Sequence, residues 1–201
     1  MSKVWGYASP GIPDGNFIRG KVPMTREEIR VVTLAKARLD PGMIIWDVGS
    51  GTGSISVEAA RLASGGRVFA VERSPEGLEL TRKNAEHFGL DNITVVAGEA
   101  PGALGSLPSP HRVFVGGSGG NLSAVIDIVE TKLLPGGRLV INAVSLETLA
   151  GAVERLKTPW QTDIIQISAA RAERVGKSHI MRGLNPVYII TAWKEEEGDD
   201  R

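Results

Sequence analysis

Ile44-Ile45-Trp46-Asp47-Val48-Gly49-Ser50-Gly51-Thr52-Gly53 is the stretch that decides the fold. A short apolar run flows into a turn with glycine at every second position. A helical pattern, Gly53–Leu62, follows directly. An apolar run of this length bounded by glycine reads as a buried strand, here Met43–Val48. Glycine at 49, 51 and 53 lets the backbone turn sharply, and lets a ligand approach where a Cβ would otherwise stand. The spacing is G-x-G-x-G. A dinucleotide pyrophosphate calls for G-x-G-x-x-G, and position 54 is Ser, which disfavours a dehydrogenase. Asp47, two residues before Gly49, is placed to orient the loop or to meet a ligand's amino group.

Working outward, strands and helices alternate. Before the quoted stretch, residues 1–24 are rich in Gly and Pro and read as an ordered arm. A helix is expected from Thr25, with Glu28 three residues on completing a capping box. Ile29, Val32, Leu34 and Leu39 give it an apolar side, and Pro41-Gly42 ends it. After the quoted stretch come a strand at Arg67–Val71 and a helix opened by Ser74-Pro75. Strands at Ile93–Ala97 and Val113–Val115 follow, then a helix over Asn121–Leu134 stopped by Pro135-Gly136-Gly137. A strand at Arg138–Ala143 and a helix over Leu146–Leu156 complete the alternation. Asp163–Ile167 and Val187–Trp193 are strand-like, with only a basic loop between them, so they are expected to pair antiparallel at the sheet edge.

Repeated strand–helix units imply a parallel sheet covered by helices on both faces. With the closing antiparallel pair, the expected fold is a Rossmann-like α/β design with a mostly parallel seven-stranded sheet. The expected division is an arm over 1–24, one domain over 25–194 and a charged tail over 195–201.

Composition narrows the function. The chain has 201 residues, 42% hydrophobic and 23% charged, which is the ordinary globular balance. Its 23 basic residues match 23 acidic ones. Nucleic-acid binders usually carry a basic excess, because phosphate contacts supply much of their affinity. No apolar run reaches the roughly 18 residues of a membrane span, and the N-terminus lacks the apolar core of a signal peptide. The chain has no cysteine, which removes disulfides, thiolate metal sites and Cys nucleophiles. A cytoplasmic protein is expected, with no metal site, no nucleic-acid partner and no membrane contact.

Three more loops lie at the carboxyl ends of strands, where open α/β sheets bind ligands. Glu72 follows the second strand about 20 residues beyond the glycines, where a carboxylate accepts both ribose hydroxyls. Gly98-Glu99-Ala100-Pro101 follows the third strand, where an adenine ring would meet Glu99 or the Ala100 amide. Gly116-Gly117-Ser118-Gly119-Gly120 follows the fourth. It lacks the Asn-Pro-Pro type of motif that amine methylation uses. It offers backbone N–H groups and room for a bulky acceptor.

With these motifs in hand, the chain resembles the precorrin or cobalt-precorrin carbon-15 methyltransferases (decarboxylating) of cobalamin biosynthesis, a class I S-adenosylmethionine-dependent family. The resemblance runs from about Ile12 to Trp193. It rests on Ile12-Pro13-Asp14, Pro23-Met24-Thr25 with Glu28-Ile29-Arg30, Asp47–Gly53, and Gly98–Pro101. Its most specific stretch is Val115-Gly116-Gly117-Ser118-Gly119-Gly120, joined by Ala169-Ala170-Arg171 and Asn185-Pro186-Val187.

The resemblance implies S-adenosylmethionine on Thr25, Gly49, Ser50, Gly51, Thr52, Gly53, Glu72 and Ala100. It implies a tetrapyrrole substrate over Gly116, Gly117, Ser118 and Gly119, and a homotetramer. A polycarboxylate needs cationic partners, ideally Arg forks. Arg19 and Lys21 in the arm are candidates, as are Arg171, Arg174, Lys177, His179 and Arg182. Arg171 leads because it stands in the family-like Ala-Ala-Arg. His87 and His111 read as surface residues, and no catalytic acid or base is assigned. The competing readings are an RNA or protein methyltransferase and a non-catalytic nucleotide-binding domain.

Overall fold

The computed structural model describes residues 4–194; the expected tail over 195–201 lies outside them. The strands are β1 (Ile44–Val48), β2 (Arg67–Glu72), β3 (Ile93–Ala97), β4 (Arg112–Val115), β5 (Arg138–Ala143), β6 (Trp160–Ile167), β7 (Ala170–Val175), β8 (Ser178–Gly183) and β9 (Val187–Lys194). The helices are α1 (Glu27–Ala37), α2 (Ser54–Leu62), α3 (Pro75–His87), α4 (Leu122–Lys132) and α5 (Leu146–Arg155). Seven strands form one sheet in the order β3-β2-β1-β4-β5-β9-β6. The first five run parallel, and β9 lies antiparallel between β5 and β6. This is the Rossmann-like class I methyltransferase arrangement expected from the sequence.

Side chains alternate across a strand, and β1 shows the consequence. Trp46 and Val48 join one core with α4 and α5. Ile45 joins a second core with α1 and α2. The helices therefore cover both faces of the sheet.

Helix α1 departs from the expected start. Arg26 is its N-cap residue, and no side chain of the local sequence caps it. The Thr25–Glu28 capping box does not form. Asp14 takes its place from the arm: its Oδ1 accepts from the Glu27 N–H at 3.0 Å. The helix also stops short of Pro41, because Arg38 turns left-handed at φ 52°. The Arg112 guanidinium then donates to the carbonyls of Ala37 (2.5 Å) and Arg38 (3.1 Å), so the last turn is closed by a distant side chain.

The second departure is the segment read as a basic loop. Residues 170–183 form a hairpin, β7 and β8, whose residues are all exposed. Gly176 at φ +61° supplies the left-handed turn position a tight hairpin needs. Strand β6 also starts earlier than expected, at Trp160, because it is an edge strand paired only to β9. Its solvent-facing Gln161 and Thr162 hide the strand pattern.

The arm is packed rather than loose. Arg30 is fully buried beneath it. Its Nε donates to Glu58 Oε1 at 2.5 Å, and its Nη1 to the Thr25 carbonyl at 2.5 Å and to Asp14 Oδ1 at 3.4 Å. Its Nη2 donates to the Ile12 carbonyl. Glu58 in turn accepts from the N–H groups of Gly11 (2.6 Å) and Ile12 (3.2 Å). The guanidinium also lies 4.7 Å from the centre of the Phe17 ring. The polar groups of a buried ion cluster are thus well satisfied, which is the condition for tolerating one.

Candidate active site

Strand β1 delivers the chain into the glycine turn, and hydrogen bonds fix it there. The N–H groups of Gly49 and Ser50 donate to the Val71 carbonyl at 2.9 and 3.1 Å. The Gly51 N–H donates to Glu72 Oε2 at 2.9 Å. All three glycines have positive φ, at 74°, 55° and 76°, yet they do different work. A Cβ on Gly49 would sit 2.4 Å from the Gly117 carbonyl oxygen, so glycine there lets the first and fourth loops touch backbone to backbone. A Cβ on Gly53 would meet Thr81 Cγ2 at 2.9 Å, so glycine there seats α2 against α3. Gly51 faces the arm: a Cβ would stand 3.1 Å from the Pro23 carbonyl and 3.3 Å from Val22 Cγ1.

Between these parts lies a cavity of about 240 Å³, just below the roughly 300–1,000 Å³ of small-molecule sites. It is lined by Gly49, Gly51, Glu72, Arg73, Gly98, Glu99, Ala100 and Gly116 to Gly119. Val48 and Val71 also contribute, as do Val22 and Pro23 of the arm. The ends of β1 to β4 therefore meet at one place, as an open α/β sheet requires of its ligand site.

Four of the eight expected cofactor residues line this cavity: Gly49, Gly51, Glu72 and Ala100. Ser50, Thr52 and Gly53 lie behind it. Ser50 Oγ is 3.2 Å from Thr81 Oγ1, and Thr52 is buried with its carbonyl accepting from Asn84 Nδ2 at 2.9 Å. Thr25 is also outside the lining, and the arm reaches the cavity through Val22 and Pro23 instead. Of the expected substrate residues, Gly116, Gly117, Ser118 and Gly119 line the cavity. Arg171 does not. Its Nε donates to Glu28 Oε1 at 2.6 Å and its Nη2 to Glu27 Oε2 at 3.3 Å. It ties the hairpin to the start of α1 and holds the Glu28 carboxyl below its ordinary range.

Glu72 is tied into the loops around it. Its Oε2 accepts from Gly51, and its Oε1 accepts from the N–H groups of Arg73 (3.0 Å) and Ser74 (2.8 Å). A carboxylate has about four acceptor positions. Three are taken by the N–H groups of Gly51, Arg73 and Ser74, which leaves about one. Asp47 braces the turn from within the protein. It is buried and accepts from Ser56 Oγ at 2.5 Å. Burial pushes its carboxyl up to about 6, with the Ser56 hydrogen bonds opposing the rise and the Glu72 charge adding to it.

Arg73 is a site residue that sequence reasoning missed. Its Nη1 pairs with Glu99 Oε1 at 2.7 Å. A Cβ on Gly119 would fall 2.9 Å from the same Nη1, so the fourth loop lies against this pair. The available signal was position alone: Arg73 directly follows Glu72 at a ligand-side strand end. His87 is exposed as expected. His111 is half-buried and structural, with Nδ1 accepting from the Ile44 N–H at 3.0 Å. Among the described residues, no helix is long and apolar enough to cross a membrane.

Residues 17–196 match the family described as "Precorrin methyltransferase domain". A "Probable cobalt-precorrin-6B C(15)-methyltransferase (decarboxylating)" of Pyrobaculum calidifontis is 47% identical over 193 residues, 94% of this chain and 98% of that protein. The crystal structure of a precorrin-6y C5,15-methyltransferase from Geobacter metallireducens superposes with a TM-score of 0.87 at 43% identity. The match covers 92% of this chain and 96% of that one. A structure from Methanobacterium thermoautotrophicum titled precorrin 8W decarboxylase gives 0.86 at 36% identity, covering 90% and 99%.

Proposed function

Since the chain belongs to the precorrin methyltransferase family, we propose that it is a cytoplasmic enzyme of cobalamin biosynthesis that methylates carbon 15 of a precorrin or cobalt-precorrin and releases the ring-C acetate carboxyl as carbon dioxide. The methyl donor in this reading is S-adenosylmethionine. The observation that carries it is that the Gly49–Gly51 turn, Glu72 and the Gly116–Gly119 loop meet in one cavity.

The residues fit the donor. Gly49 and Gly51 give backbone approach without a Cβ. In this reading Glu72 offers an acceptor position to the ribose, and Ala100, which lines the cavity, faces the adenine. When bound, the donor supplies an electrophilic methyl group on a sulfonium. The chain's contribution is to hold two reactants in line, which alone can supply much of the acceleration. The Gly116–Gly119 loop leaves the acceptor free approach, since only Ser118 carries a side chain there.

The test supplies methyl-labelled S-adenosylmethionine with cobalt-precorrin-6B and tRNA in one mixture. The label should enter the tetrapyrrole and leave tRNA unlabelled. Label in tRNA alone would overturn the proposal in favour of RNA methylation.

The family resemblance also implies four copies. The β7–β8 hairpin supports assembly, because it exposes Val175, Ile180 and Met181 on strands that, among the described residues, pair only with each other. Light scattering should give one species of four chains, and a monomer at micromolar concentration would contradict this.

A further inference from the structure

The loop after β5 carries two large apolar side chains in water: Val144 is 73% exposed and Leu146 is 68% exposed. A single exposed leucine is ordinary. Two within three residues, just past the carboxyl end of β5, make a local apolar patch that asks for an occupant. Strands β4 and β5 pair in parallel, with Val115 opposite Ile141. The chain therefore leaves both strands at the same, carboxyl end of the sheet, and Gly116–Gly119 and Val144–Leu146 follow neighbouring strands there. Leu146 is the first residue of α5, and Ser145 caps that helix by accepting from the Thr148 N–H at 3.2 Å. Helix formation does not ask for leucine there, since an acidic residue would suit the helix N-terminus better.

We infer that Val144 and Leu146 form an apolar platform for one face of the tetrapyrrole ring, next to the Gly116–Gly119 loop. This rests on the function proposed above. The residues that line the cavity come from the β1 to β4 loops and the arm, and they include those the donor uses in this reading. A four-ring macrocycle with its reacting edge at the cavity then extends over the neighbouring surface, beyond that lining. The Glu72 side of the rim carries the Arg73–Glu99 ion pair. The β5 side is the apolar one. A ring with apolar faces and peripheral carboxylates matches that surface in chemistry.

The competing occupant is a second copy of this chain. Val153 separates the two. It is 48% exposed on α5, seven residues and about 10 Å along the helix from Leu146. A subunit contact would use both ends of that stripe, whereas a ring at the cavity rim would use only the near end.

The experiment compares the parent with a Val144→Thr, Leu146→Asn double variant and with Val153→Asn. The readouts are the KM for cobalt-precorrin-6B, the affinity for S-adenosylhomocysteine and the mass of the assembly. The double variant should raise KM about tenfold or more, with cofactor affinity and mass unchanged. Val153→Asn should change none of the three. An unchanged KM in the double variant overturns the platform. So does a change in assembly mass, or an equal effect from Val153→Asn. A second variant, Leu146→Glu, suits the helix N-terminus and guards against misfolding; it should raise KM at least as much. If the parent itself methylates no tetrapyrrole, the proposed function fails first and the platform with it.

Discussion

Replacing Gly51 with Val should weaken S-adenosylhomocysteine binding by about 100-fold or more, on the order of 3 kcal/mol. Four effects act together. Gly51 has φ +55°, a conformation that costs a residue with a Cβ roughly 1–2 kcal/mol. The new Cβ would press on the Pro23 carbonyl at 3.1 Å and on Val22 at 3.3 Å. The branched methyls would enter the cavity that Gly51 lines, and the Gly51 N–H bond to Glu72 would be disturbed. Gly89→Val is the control. Gly89 is also left-handed, at φ +67°, with nothing within 4 Å of its Cβ position. It should lose stability through the same backbone strain and keep full affinity. Parent-like binding by Gly51→Val would remove the turn from the site.

Arg30→Met should lower stability by about 3–5 kcal/mol, because it strips a buried charge pair of one member. Asp14 and Glu58, 5% and 2% exposed, would lose their shared guanidinium, and Asp14 would be left with the half-exposed Arg26 as its ion-pair partner. For a domain of this size the melting temperature should fall by on the order of 10 °C. Cofactor affinity should fall too, since Arg30 holds the Ile12 and Thr25 carbonyls, and the arm between them carries Val22 and Pro23 to the cavity. A melting temperature within about 2 °C of the parent would mean the arm is seated by other contacts. A large loss of stability with unchanged cofactor affinity would mean that it does not shape the site.

The parallel core of the fold was legible because its strands are short, mostly apolar runs, and glycine directly follows β1, β3 and β4 at Gly49, Gly98 and Gly116. β3 and β5 have the expected limits, and β1, β2 and β4 differ by one residue. The hairpin was not legible. Its strands have no buried face, so Arg171, Glu173, Arg174, His179 and Arg182 show no apolar alternation to read. The start of α1 misled for a different reason. Thr25 and Glu28 have the spacing of a capping box, but Asp14 reaches the helix first and Arg171 engages Glu28.

In the site, glycines and the strand-end carboxylate could be read because their chemistry is tied to local position. Val22 and Pro23 could not, since a buried ion cluster brings them to the cavity from the arm. The same limit applies to Arg171. Its neighbours in sequence point to substrate, while its neighbours in space are two carboxylates of α1.

The most direct test of the proposed reaction is the mass of its product. The purified chain would be incubated with S-adenosylmethionine and cobalt-precorrin-6B under single-turnover conditions, and the tetrapyrrole weighed by mass spectrometry. The account predicts a product that has gained one methyl group and lost one carbon dioxide. A tetrapyrrole of unchanged mass, with S-adenosylmethionine unconsumed, would contradict it.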